Sequence, residues 1–167
     1  PVLSSRQNDP EVIYNFLKKL TKFMAVFGIS LSIFFFFFAE EIIRILFGDQ
    51  WFSSIRPFKY LALSVGIQMI LSGAQSVFLS LGKSNHLFLS GFLSFMVLSV
   101  AILSGIFIFE SITGTSFLIL IAFLINFFQV YYLLIVKVMK KGFIDFIRQL
   151  KTGFLIGSSV LIINLLI

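Results

Sequence analysis

Polar and charged positions punctuate this chain at intervals too long for a water-soluble fold. Seventeen uncharged residues separate Lys22 from Glu40, and 23 separate Lys59 from Lys83. Another 23 lie between His86 and Glu110, 26 between Glu110 and Lys137, and the last 16 follow Lys151. An α-helix rises about 1.5 Å per residue, so about 20 apolar residues cross a hydrocarbon layer of roughly 30 Å. The first four stretches therefore predict membrane-crossing helices. The fifth is the start of another.

The punctuation divides the chain further. Residues 1–22 predict a cytoplasmic segment with one short helix, entered through Asp9, Pro10 and Glu11: an N-cap acceptor, a proline in the first turn and an acid near the positive helix end. Val12, Ile13, Phe16, Leu17 and Leu20 recur at helical spacing beside Lys18, Lys19 and Lys22. That pattern suits an amphipathic helix on the membrane surface, or equally a short helix packed on the protein's own loops. Residues 23–136 predict four crossing helices. The first runs from Phe23 to Phe47, with Glu40 and Glu41 at the far interface, Gly48 as its stop and Trp51 in an aromatic belt. The second runs from Pro57 to Leu81, the third from Leu87 to Phe109 and the fourth to Val136. The tight connections at Gly82–Asn85 and Glu110–Gly114 predict antiparallel neighbours. Residues 137–151 form a basic cytoplasmic loop, and 152–167 begin the fifth crossing. The chain opens on Pro1 rather than Met and closes inside an apolar run, so it is expected to be a piece of a longer protein.

Composition agrees with lipid as the solvent. Hydrophobic residues make up 59% of the chain and charged residues 12%, against about 25% charged in ordinary soluble domains. A net charge of +6 would suggest nucleic acid in a soluble protein, but here the cations sort by side. Arg6, Lys18, Lys19, Lys22, Lys83, Lys137, Lys140, Lys141, Arg148 and Lys151 share one side, ten in all, whereas Arg44, Arg56 and Lys59 make three on the other. The positive-inside rule then places residue 1 in the cytoplasm and the Trp51 loop outside. Membrane lipid is the expected partner, and nucleic acid is not.

Candidate chemistry is sparse. No charged residue lies near the centre of any predicted crossing, which disfavours proton relays and intramembrane hydrolysis. His86 is the single histidine and sits in a turn, there is no cysteine, and no phosphate loop or nucleophile triad is present. The expectation is a protein that is not an enzyme and holds no metal or other cofactor. The second crossing does carry a polar stripe: Ser64, Gln68, Ser72 and Gln75, at spacings that share one helix face. Either the stripe lines a hydrated cavity, or its amides tie packed helices together. Asn126 and Gln129 repeat the signal more weakly in the fourth crossing. Ala25, Gly28 and Ser32, and also Ser90 and Ser94, predict small-residue packing seams.

The order of local motifs resembles one known family. Pro1-Val2-Leu3-Ser4-Ser5-Arg6 opens the chain, a short acidic helix start follows, and the first crossing ends in Ile45-Leu46-Phe47-Gly48-Asp49-Gln50-Trp51. A polar-striped crossing ending Leu81-Gly82-Lys83 and another helical hairpin come next. This is similar to the C-terminal part of bacterial polysaccharide and O-antigen flippases, within the multidrug, oligosaccharidyl-lipid and polysaccharide exporter superfamily. The resemblance implies an all-α, polytopic transmembrane bundle, part of a two-lobed transporter of about twelve to fourteen helices working by alternating access. It also implies the bacterial inner membrane, a polyprenyl-pyrophosphate-linked oligosaccharide as cargo, and an N-terminal lobe of the same protein as partner. The candidate substrate-binding residues are then Gln68 and Gln75, offering amides to sugar hydroxyls, and Arg6, facing the pyrophosphate or else anchoring the cytoplasmic side. Competing readings are a multidrug exporter of related fold, a membrane-embedded glycan polymerase or ligase, and a structural subunit.

Overall fold

The computed structural model describes residues 10–148, and they form an all-α bundle with no strand among them. Helices α1 (Pro10–Phe37), α2 (Ala39–Phe47), α3 (Ile55–Ser80), α4 (Ser84–Phe107) and α5 (Ile112–Tyr132) follow one another, and residues 143–148, expected in a basic loop, are again helical. A 3-10 turn over Asp49–Ser54 joins α2 to α3, and α5 continues as a π-helical segment over Leu133–Val138. Four helical stretches are long and apolar enough to cross a membrane: Glu11–Phe37, Asp49–Ser80, Ser84–Phe107 and Ile112–Val138. The expected fifth crossing lies outside the described residues.

The first crossing differs from its sequence-based bounds at both ends. No break occurs near residue 22; α1 is one helix of 28 residues, about 42 Å long. The helix runs straight through the charges at Lys18, Lys19 and Lys22. Its first turns pack on the protein itself: Ile13, Tyr14 and Leu17 are buried, and Glu11 pairs with Lys141. At the other end the helix breaks at Phe38, inside a run of five phenylalanines. Glu40 and Glu41 then occupy the first turn of α2, where a negative charge is favourable. Gly48 ends α2 at a φ of 86°, a conformation that favours glycine.

Helix ends elsewhere follow local chemistry. Pro57 sits in the first turn of α3, where its missing N–H costs no intrahelical bond. Gly82, at φ 64°, closes α3: its N–H donates to the Leu79 carbonyl and that of Lys83 to the Phe78 carbonyl, both at 3.0 Å. This is a Schellman stop, and it needs a left-handed residue at the glycine. Ser111 caps α5 by accepting from the Gly114 N–H at 3.4 Å.

α3 is the centre of the bundle, packed most extensively against α1 and next against α5, while α4 leans on α5. The tight Gly82 turn predicts α3 and α4 as packed neighbours; instead they touch little beyond the turn. α5 fills the position beside α3 and leaves a cleft between the two arms. The α1–α3 contact is a close one. A Cβ placed on Gly66 would lie 2.9 Å from the carbonyl carbon and oxygen of Gly28, so the helices approach backbone to backbone. Ser32 Oγ accepts from the Gly66 N–H at 2.7 Å, and Ala25 is fully buried in the same seam. That is the small-residue packing expected of Ala25, Gly28 and Ser32. Toward the basic end, Ile13, Leu17, Ile70, Val77, Phe78, Tyr131, Leu134 and Phe146 form the main core. Tyr131 joins three helices there: its hydroxyl donates to the Ile70 carbonyl at 2.9 Å and lies 3.2 Å from Thr21 Oγ1.

Candidate functional site: an uncharged polar cleft

A cleft of about 250 Å³ opens where α3, α4 and α5 diverge. Gln68, Ser72 and Gln75 supply one wall, Ser90 and Ser94 the second, and Asn126 the third, with Leu71, Leu87 and Phe123 between them. It occupies the half of the bundle that ends at the Gly82 turn, the side carrying most of the cations. No charged side chain lines it. Its recognition chemistry is that of amides and hydroxyls, which suits neutral, hydroxyl-rich groups and water.

Each wall follows from local sequence. On α3 the spacing of Gln68, Ser72 and Gln75 keeps the three on one face. Ser64 shares that face but is buried one turn further away, where the helices have closed up. Its Oγ donates to the Leu61 carbonyl at 2.7 Å and accepts from Gln68 Nε2 at 2.9 Å. The stripe thus divides: three residues line the cleft and Ser64 orients one of them. Gln68 and Gln75 make no hydrogen bond to another helix among the described residues.

Ser90 and Ser94 line the cleft from α4, which stands off from α3, and Ser90 is buried there as a packing residue would be. Ser94 does tie helices, donating to Gln129 Oε1 on α5 at 3.3 Å. Asn126 is the site residue that its sequence signal understated. It is only 3% exposed, lines the cleft, and its Oδ1 is buried without a hydrogen-bond partner among the described residues. Gln129 Nε2 is likewise unpartnered. A buried acceptor and donor three residues apart on α5 call for a hydroxyl or water to satisfy them. Arg6, the remaining candidate, lies outside the described residues.

The polar lining stops partway along the bundle. Toward the opposite end, α4 and α5 enclose a crevice of about 430 Å³ whose walls are apolar apart from Ser104, running from Met96 to Ser104 and from Leu118 to Ile125. A second apolar crevice, about 370 Å³, lies where α1, α3 and α5 meet near Ile33, Leu63 and Phe127. Among the described residues, no group of histidines and acids could hold a metal ion.

Fold and cleft together define a polytopic helical membrane protein with an uncharged polar recess. Residues 1–56 match the family described as "Polysaccharide biosynthesis protein", roughly a third of the chain. No curated protein and no solved structure matches it. The match covers α1, α2 and the first two residues of α3, and supports a role in polysaccharide biosynthesis or export.

Proposed function

We propose that the chain contributes to a flippase that carries a lipid-linked oligosaccharide, on a polyprenyl pyrophosphate carrier, across the bacterial inner membrane by alternating access. The observation that carries the reading is the cleft: six amide and hydroxyl side chains facing one recess within membrane-crossing helices, with no charge among them. Polar groups at membrane depth are unfavourable unless they meet partners or water, and sugar hydroxyls are both donors and acceptors. The family match over residues 1–56 supports a polysaccharide as the cargo class. In this reading the protein does no bond chemistry, residue 1 faces the cytoplasm, and a preceding lobe of the same protein faces the cleft. The polymerase or ligase reading calls for catalytic external loops, whereas the connection from α4 to α5 is only four residues, 108–111.

Replacing both Gln68 and Gln75 with Leu tests it. Insertion and expression are expected to persist, because neither amide bonds to another helix among the described residues and Leu suits lipid. Surface glycan exported per inserted molecule is expected to fall several-fold. An unchanged export rate per molecule would remove both residues from the transport path.

A further inference from the structure

We infer that α2 is a lipid-binding foot: an amphipathic helix lying in the outer membrane interface, with Ile45 and Leu46 inserted among the lipids. At about 100° per residue, α2 presents three arcs. Ala39 and Ile43 are buried, packed in a small cluster with Ile55 and Phe58 at the start of α3. Glu40, Arg44 and Glu41 share a polar arc. The third arc is apolar and largely uncovered among the described residues: Ile45 is 81% exposed and Leu46 68%, with Ile42 half-buried between them.

Lipid is the occupant the surroundings favour. α2 is suspended between two membrane-crossing helices, leaving α1 at Phe38 and entering α3 through the 3-10 turn, so it is held at the level where they leave the bilayer. The exposed rings of Phe34, Phe37 and Phe38 extend the same apolar surface onto α1. Trp51, half exposed, lies 6.2 Å from the Phe47 ring, and aromatic rings of this kind favour the headgroup level. The basic group of the polar arc is already paired within the chain: Arg44 lies 3.3 Å from Glu40 and 3.5 Å from Asp49, with Phe52 beneath it. An edge whose cation is internally neutralised offers little to a charged protein partner, so the apolar arc and the aromatic rings supply the hold on the lipid.

The test uses the membrane-inserted protein with a nitroxide attached at single cysteines, since the chain has none of its own. Labels at Ile45→Cys and Leu46→Cys should be several-fold more accessible to oxygen than to a water-soluble nickel chelate, and Glu41→Cys should show the reverse. Accessibility to nickel at 45 and 46 would place that arc in water and overturn the inference. Protection from both reagents would mean a protein surface covers it, and would overturn it equally. Trp51 supplies a check without substitution. Bromines placed near the headgroups should quench its fluorescence more than bromines deep in the acyl chains, and quenching by iodide instead would count against the foot.

Discussion

The two faces of α3 use similar residues for opposite ends. Toward α1 it presents Gly66, Gly73 and Ala74, and toward the cleft Gln68, Ser72 and Gln75, both sets at helical spacing. On the first face a serine hydroxyl from α1 meets a glycine N–H at 2.7 Å and the backbones touch. On the second, amides as polar as any in the bundle meet no other helix. The difference lies in the neighbour. α1 brings Gly28 opposite Gly66, so nothing holds the helices apart; α5 comes between α3 and α4 and leaves a space unfilled among the described residues. Small residues close a seam, and polar residues of middling size line a cleft.

The closed face is the more sensitive to substitution. Gly66→Val would push a side chain into the Gly28 backbone, an overpacking worth about 1–3 kcal/mol or more. The thermal midpoint in detergent and the yield of protease-resistant protein should both drop sharply. A tolerated valine would show that the seam can open. Tyr131→Phe should cost less, since it removes only the hydroxyl shared by Ile70 and Thr21; interhelical bonds of this kind contribute roughly 0.6–1.7 kcal/mol. A loss measured by denaturant unfolding that matched the valine variant would mean the tyrosine organises more than two bonds. On the open face the sign should change. Asn126→Leu removes an unsatisfied buried carbonyl, so stability is expected to hold or rise by about 1 kcal/mol, while glycan export per inserted molecule falls. Destabilisation as large as that of Tyr131→Phe would mean that Asn126 has a partner within the protein, and the contrast between the faces would fail.

Much of this architecture was legible in the residues. Four charge-free stretches became four crossing helices, and Gly28 with Ser32 became a seam, because lipid admits little besides helices and close packing favours small side chains. The rotation of one helix about another was not legible. Ser90 and Ser94 have the spacing of a packing seam and do pack α4 on α5, but the displacement of α4 from α3 also makes them cleft residues. The break at Phe38 was hidden too, since a run of phenylalanines reads as uniform bulk to hydropathy and as continuous helix to periodicity. Asn126 was a weak signal for a related reason: sequence shows a polar residue, but not whether its carbonyl finds a donor.

The hydroxyl contact between Thr21 and Tyr131 joins residues 110 positions apart. A ribosome adding about 5–20 residues per second leaves roughly 5–20 s between the synthesis of one partner and the other. For the last 51 residues of that interval, after Ser80, α1 and α3 are both complete, and their glycine seam needs nothing from α5. The seam can therefore act as a holding complex in the nascent chain, keeping Thr21 and the Ile70 carbonyl side by side until Tyr131 arrives to bridge them. The sequence order of the partners therefore lets contacts of backbone and small side chains form first, while the bond that unites three helices must wait for Tyr131.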